Sequence, residues 1–121
     1  MKKPIAIQGI KGSFHHQVAQ QYFSINAEVV ECMSFDSAVD TLLQGDTDNI
    51  VMALENSIAG SIIPNYALID NYNLSIVGEY YLDIQHNFLA LTGQTIASIL
   101  EVHSHPMALL QCKDFFKIFH I

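Results

Sequence analysis

The spacing of apolar residues alternates along the first half of the chain between a two-residue and a three-to-four-residue period. A short β-prone run at 4–8 precedes a glycine-containing turn, and from Phe14 the apolar residues recur at helical spacing. A second strand-like run at 28–32 is followed by a helical stretch from Phe35, and the apolar run at 50–54 is typical of a strand buried on both faces. This order predicts an α/β layer with a mostly parallel sheet.

The predicted helices carry their own boundary signals. Ser13 and Ser34 each precede a helical stretch, and a serine side chain at that position can accept a hydrogen bond from a first-turn backbone N–H. Gly45 follows the last apolar residue of the second stretch and predicts its end. A third helix is predicted over 61–70, and Pro64 does not oppose it, since proline is tolerated in the first turn of a helix.

The second half of the chain has a different pattern. Apolar and polar residues alternate over 74–91, which predicts one or two strands, and 92–95 is typical of a turn. The run 99–103 predicts another strand, and Ser104 is the expected cap of a last helix with Pro106 in its first turn.

The last predicted helix presents an apolar face that little of the remaining sequence can cover. Its members are Ala108, Leu109, Cys112, Phe115, Phe116 and Phe119. The stretch from His86 onward is also too short to bury a core of its own. We therefore expect a first α/β lobe over 1–77, crossover strands with an incomplete second lobe over 78–121, and either a truncated chain or one that pairs with a partner, such as a homodimer.

Composition and charge exclude several classes of protein. Half of the residues are apolar and 14% are charged, which favours a packed core over disorder. No run approaches the ~20 apolar residues of a membrane span, and the start lacks the apolar region of a signal peptide, so we expect a cytoplasmic protein. A net charge of −7 opposes nucleic-acid binding by phosphate neutralisation. Cys32 and Cys112 are expected to be buried thiols in a reducing compartment.

Polar residues follow two predicted strands at the edge where open parallel sheets bind ligands. The segments 9–13 and 55–61 each join a strand to a helix through small residues, which leaves backbone N–H groups to receive a carboxylate. Alternatively, the two segments are ordinary loops, whose small residues serve only to turn the chain. Glu55, Asn56 and Ser57 place a carboxylate, an amide and a hydroxyl at the end of a buried strand, where each needs a polar partner. Alternatively, these side chains form hydrogen bonds to the loop backbone and cap the next helix.

A second polar set opens the last predicted helix. Ser104 and His105 precede it, and Gln111 lies two turns from Ser104 and so on roughly the same side. A solvent-facing glutamine is the alternative for Gln111. His103 and His105 have zinc-like spacing, but the only further ligand nearby is Cys112, so we expect no metal site.

Four short motifs occur in one order over nearly the whole chain. They are Gly-Ile-Lys-Gly-Ser-Phe at 9–14, Leu-Glu-Asn-Ser-Ile-Ala-Gly-Ser-Ile at 54–62, the pair Gly-Glu at 78–79 with Ile-Gln-His-Asn-Phe-Leu at 84–89, and Ser-His-Pro-Met-Ala-Leu-Leu-Gln-Cys at 104–112. Any one of these motifs is a weak signal, but together they resemble the motifs of the prephenate dehydratase family.

The resemblance implies a two-lobed fold like that of type II periplasmic binding proteins, with prephenate in the cleft and no metal or organic cofactor. It implies conversion of prephenate to phenylpyruvate, CO2 and water in L-phenylalanine biosynthesis. The residues that the resemblance assigns to catalytic contacts with the substrate are Asn56, Ser104 and Gln111. Those that it assigns to substrate binding and to the shape of the pocket are Gly12, Ser13, Glu55, Ser57, Gly60 and His105, with Glu55 organising its loop.

The sequence also departs from the family pattern. Ala53 and Leu54 replace a Pro-Ile pair, and His15 replaces a serine. The Thr-Arg-Phe motif, whose threonine is the favoured acid for the leaving hydroxyl, does not occur in this sequence, nor does the phenylalanine-sensing domain of many members. We therefore expect a truncated form whose activity is open. Arogenate dehydration, and a non-catalytic module of the same fold that binds small carboxylic acids, are the alternatives.

Overall fold

The computed structural model describes residues 2–121 and divides the chain into two compact units. The first unit comprises the chain up to Asn56 together with Gly60–Asp83, and the second comprises Ser57–Ala59 together with Ile84–Ile121. The predicted lobes, 1–77 and 78–121, stay a prediction.

The first unit contains a parallel sheet with flanking helices. Its elements are β1 (Ile5–Gln8), α1 (Phe14–Tyr22), β2 (Val29–Cys32), α2 (Phe35–Leu43), β3 (Asn49–Val51), β4 (Glu55–Asn56), β5 (Gly60–Ser61) and α3 (Ile63–Asn71). The sheet has the order β2-β1-β3, and β1 pairs in parallel with both neighbours. This confirms the predicted α/β layer with a parallel sheet.

The core of the first unit forms on both faces of β1, because successive side chains of a strand point to opposite faces. Ala6 packs with Cys32 and Ala38 on one face, and Ile5 and Ile7 are buried on the other. Both α1 and α2 contact β1. The central strand is therefore the part of this unit most fully removed from water.

Two of the three predicted serine caps are confirmed. Ser13 Oγ accepts a hydrogen bond from His16 N at 3.3 Å, and Ser34 Oγ accepts one from Ser37 N at 3.1 Å. After α2 ends, Gly45 adopts φ +82°, a backbone conformation in which glycine has no steric penalty. Local sequence signals thus fix where α1 and α2 begin and where α2 ends.

The third strand is shorter and less buried than the apolar run 50–54 predicted. β3 ends at Val51, and each of its residues is only half-buried. The physical reason is its position, since β3 lies at the edge of a three-stranded sheet, where neighbouring elements cover it less completely.

The strands predicted over 74–91 and 99–103 are not formed, and neither segment pairs in a β-ladder. Alternation of apolar residues favours a pleated backbone, but a strand also needs a neighbour for its N–H and C=O groups. The turn predicted at 92–95 is confirmed, with Gln94 N donating to Leu91 O at 3.1 Å and Gly93 at φ +91°.

The second unit contains a 3-10 helix (Ile96–Ser98) and two short helices, α4 (Pro106–Gln111) and α5 (Lys113–Phe119). A single last helix was predicted, but the helix is interrupted at Cys112, which lies at φ −101° and ψ 10°. None of residues 57–59 and 84–121 is buried, as expected for a stretch too short to enclose a core.

The cap of α4 is also different from the prediction. His105 occupies the cap position, and its Nδ1 accepts a hydrogen bond from Met107 N at 3.1 Å. Ser104 lies one residue too early, because Pro106 is already the first residue of the helix. No helix within residues 2–121 is long and apolar enough to cross a membrane.

Candidate functional site

The loop between β1 and α1 carries two of the predicted site residues, Gly12 and Ser13. Gly9 and Gly12 adopt φ +107° and +92°, a region that favours glycine. Ser13 is half-buried, and its hydroxyl accepts the N–H of His16 as the cap of α1. The two glycines therefore let the chain turn tightly, and Ser13 connects that turn to the helix.

Four of the five backbone donors of this loop are engaged within the first unit. The bonds are Gly9 N to Cys32 O at 2.8 Å, Lys11 N to Glu31 Oε2 at 2.9 Å, Gly12 N to His16 Nδ1 at 2.8 Å and Ser13 N to Ile10 O at 3.1 Å. As the loop is folded, these four donors are engaged internally, and binding of a substrate carboxylate by the loop stays a prediction. A carboxylate does lie against the loop, but it belongs to Glu31 on the neighbouring strand β2.

The segment after β3 forms a tight hairpin, whereas the sequence predicted a loop that leads directly into a helix. Glu55 pairs with Ser61 and Asn56 pairs with Gly60 in antiparallel register. Gly60 adopts φ +79°, and Ile62 N donates to Leu54 O at 2.8 Å. The backbone of the half-buried Asn56 is thereby held by a strand partner.

Two hydroxyl groups hold the carboxylate of Glu55. The Ser61 hydroxyl lies 2.9 Å and 3.1 Å from the two carboxylate oxygens, and the Tyr66 hydroxyl donates to Oε1. The hydrogen bond to Glu55 raises the pKa of Tyr66, because the carboxylate stabilises the protonated phenol. Glu55 thus joins both strands of the hairpin to α3.

A cavity of ≈ 370 Å³ lies in the first unit at the carboxyl ends of β1 and β2. Its lining residues are Gln8, Met33, Ser34, Phe35, Asp36, Pro64, Asn65 and Leu68. This is the edge where open parallel sheets bind ligands, yet the lining includes no predicted site residue. Sequence reasoning missed it because the lining comes from three separate segments that share no motif.

The second unit carries Ser57, Ser104, His105 and Gln111. Gln111 is the last residue of α4, is half-buried, and its Oε1 lies 2.5 Å from His86 Nε2. Ser104 and His105 are exposed. Ser104 precedes the first residue of the helix, so helical spacing does not place it on the same side as Gln111.

The imidazole of His15 on α1 is half-buried and packs against Phe35. Its Nε2 is buried without a hydrogen-bond partner, and its ring meets Phe35 edge-on with centroids 5.2 Å apart. Burial lowers the pKa of His15, because a charged imidazolium loses hydration there. Its position in the first turn of α1 predicted an exposed histidine, and that prediction is wrong because the ring packs against Phe35.

Metal-ligating side chains are dispersed. Within residues 2–121 no group of three His, Cys, Asp or Glu side chains is arranged to hold a metal ion. The exposed His103 contacts Glu101 at 3.2 Å, and His105 uses Nδ1 to cap α4. Cys32 and Cys112 are free thiols, as predicted, but only Cys32 is buried and Cys112 is half-buried.

The family of the chain is decided by comparison with known proteins. The sequence model described as prephenate dehydratase matches residues 5–120, which include every predicted site residue. The chain belongs to the prephenate dehydratase family. It shares 39% identity over 110 residues with arogenate dehydratase/prephenate dehydratase 2, chloroplastic, of Arabidopsis thaliana, covering 91% of this chain and 29% of the relative.

Other members of the family show the same partial coverage. The chain is 34% identical over 114 residues to a bifunctional chorismate mutase/prephenate dehydratase of Buchnera aphidicola, covering 92% of this chain and 30% of the relative. It is 39% identical over 110 residues to arogenate dehydratase 2 of Petunia hybrida, covering 91% and 28%. The chain therefore spans less than a third of the length of these relatives. No solved structure matches it.

Proposed function

We propose that this chain supplies substrate-binding residues to a dehydratase that converts prephenate to phenylpyruvate, CO2 and water in L-phenylalanine biosynthesis. The observation that carries the proposal is the family match over residues 5–120. The names of the Arabidopsis and Buchnera relatives both include prephenate dehydratase, which supports prephenate as the substrate.

The proposed reaction needs little covalent chemistry from the protein. The bond between the ring and its carboxylate breaks to release CO2, and its electron pair enters the ring while the carbon–hydroxyl bond breaks. The hydroxyl leaves as water after taking one proton, and the ring becomes aromatic. The protein has to hold both leaving groups in position and supply that proton.

Neutral polar side chains are the proposed contacts to the substrate. Asn56, Ser104 and Gln111 carry amide or hydroxyl donors that suit the two carboxylates of prephenate. Asn56 lies in the hairpin that Glu55 holds through Ser61 and Tyr66. The residues that shape the pocket are Gly12, Ser13, Ser57, Gly60 and His105. Because four of the five backbone donors of the loop at 9–13 are engaged, we assign that loop to the shape of the site.

The wider architecture is part of the same proposal. A parallel sheet with flanking helices is compatible with the first lobe of a type II periplasmic-binding-protein-like fold, with 1–77 as that lobe and 78–121 in the second. The free Cys32 and Cys112 fit a reducing compartment such as the cytoplasm. A homodimer is proposed from the exposed apolar side chains, among them Phe115 and Phe119, and a mass that rises with concentration would support it.

Arogenate is the second candidate substrate, because the Petunia relative is named an arogenate dehydratase. The test mixes the purified 121-residue chain with prephenate or arogenate at neutral pH. It follows phenylpyruvate or phenylalanine above the spontaneous rate and measures binding by calorimetry. The product that forms faster identifies the substrate. Binding without turnover would fit a truncated dehydratase as well as a non-catalytic acid-binding module, and a longer chain that includes the Thr-Arg-Phe segment would separate the two. Failure to bind either acid would overturn the proposal.

Asn56→Ala and Gln111→Ala test the assigned contacts. Each removes a donor to a charged carboxylate, a loss of ~1.5–3 kcal/mol, so substrate affinity or turnover should fall about tenfold to a hundredfold. The melting temperature should change little, because neither side chain fills the buried core. Asn71→Ala and Gln17→Ala, at exposed helical positions, are the matched controls. Near-normal binding and turnover in both site variants would refute the assignment.

A further inference from the structure

His86 lies beside Gln111 in the second unit. Its Nε2 is 2.5 Å from Gln111 Oε1. A carboxamide oxygen only accepts hydrogen bonds, so the imidazole nitrogen donates. The oxygen end of the Gln111 side chain is therefore engaged with His86, and the NH2 end is the end that can donate to a ligand.

An aromatic contact anchors the segment that carries His86. Phe88, two residues further along, packs against Phe115 and Phe116 with centroid distances of 5.9 Å and 6.3 Å. Both pairs have the edge-to-face geometry that aromatic rings prefer. Phe115 and Phe116 lie on α5, which follows α4 after the break at Cys112. The segment thus contacts the helix pair twice, at the end of α4 and on α5.

The orientation of a glutamine amide decides whether it attracts or repels a carboxylate. Its NH2 end donates to a carboxylate oxygen, whereas its C=O end places a partial negative charge against it. The terminal torsion of glutamine is broad, so an unrestrained side chain readily exchanges the two ends. A neighbouring donor that holds the oxygen removes this freedom.

We propose that His86 is a positioning residue for Gln111, whose hydrogen bond turns the amide NH2 toward a carboxylate of the substrate. This inference rests on the proposed function, which makes Gln111 a substrate contact. It predicts that His86 acts on binding through Gln111 alone, although His86 itself does not touch the substrate.

His86→Phe and His86→Gln separate this role from a merely structural one. His86→Phe keeps a planar ring and loses the donor, and should weaken prephenate binding by about tenfold, the upper range for one neutral hydrogen bond. His86→Gln restores an N–H donor and should recover most of the affinity. His103→Phe is the control, because this exposed histidine of the same unit contacts Glu101 and not Gln111.

The experiment measures prephenate dissociation constants by calorimetry for the wild-type chain, these variants, Gln111→Ala, and His86→Phe combined with Gln111→Ala. We expect His86→Phe to have no further effect once Gln111 is alanine. An equal loss in that background would overturn the inference. So would failure of His86→Gln to rescue binding, or a lowered melting temperature that accounts for the loss.

The outcomes also separate the two proposals. If the wild-type chain binds prephenate and His86→Phe binds it equally well, the positioning role alone is wrong. If the wild-type chain binds neither prephenate nor arogenate, the proposed function is wrong and the role of His86 falls with it.

Discussion

Replacing Ile7 with alanine tests whether the central strand carries the stability of the first unit. Ile7 is 0% exposed and lies in β1, opposite Glu31 of β2 and Val51 of β3. Strands pair on both sides of β1, and both α1 and α2 contact it. The surroundings therefore have little freedom to close over a shortened side chain.

The expected loss follows from the atoms removed. Isoleucine to alanine deletes three carbon atoms, worth about 2.4 kcal/mol at ~0.8 kcal/mol each when they are fully buried. The cavity left behind adds to this, which gives a total of about 2–5 kcal/mol. Ile7→Val removes one carbon and should lower the free energy of unfolding by about 0.5–1.5 kcal/mol.

Urea unfolding followed by circular dichroism measures the effect. With a slope of about 1–3 kcal/mol per molar urea, a loss of ~3 kcal/mol moves the midpoint down by roughly 1–3 M. Ile10→Ala is the matched control, because Ile10 is 68% exposed and should change stability by less than ~0.5 kcal/mol. If Ile7→Ala is unfolded in buffer, Ile7→Val keeps the comparison measurable. Equal midpoints for the Ile7 and Ile10 variants would refute the packing argument.

Two further predictions concern α1 and the loop before it. Burial lowers the pKa of His15 below its ordinary 6.5, so its contribution to stability is complete above pH 6.5 and is lost as the pH falls toward the folded-state pKa. The melting temperature of the wild-type chain should be lower at pH 5.5 than at pH 7.5. This drop should be smaller in His15→Phe and as large as in the wild type in His103→Phe. Equal drops in all three chains would exclude His15 as the cause. Gly12→Ala should lower the free energy of unfolding by about 1–2 kcal/mol from backbone strain alone, because no neighbouring atom lies within 4 Å of the added Cβ at φ +92°. An unchanged urea midpoint would contradict the positive φ.

The first unit could be predicted from sequence because its signals are local. Ser13 and Ser34 stand next to the turns that they cap, and Gly45 stands where α2 has ended. The strand–helix order then leaves few arrangements of the sheet, since parallel strands need crossover connections. The depth to which β3 is buried was not predictable, because that depends on its position at the sheet edge.

The second half of the chain shows where local reasoning fails. The alternation over 74–91 is a property of one segment, whereas a β-ladder needs two. The alternating segment does not show which other segment it would pair with. The cap of α4 shifted by one residue to His105 because the proline at 106 is already helical. In the loop at 9–13, only the folded chain reveals that Glu31 and His16 use the backbone donors.

The proposed contacts to the substrate include no lysine or arginine. The groups that orient the contacting amides therefore matter more than they would in a cationic site. An ammonium group attracts a carboxylate from any direction, whereas an amide attracts it only through its NH2 end. This chain has a net charge of −7, so if Asn56 and Gln111 contact a dianion as proposed, the orientation of their amides matters. The hairpin fixes the backbone of Asn56, and two hydroxyl donors partly offset the negative charge that Glu55 places in that hairpin. In the proposal above, the hydrogen bond from His86 has the corresponding role for Gln111 in the second unit. Under this view, the residues that hold the amides decide affinity as much as the amides do.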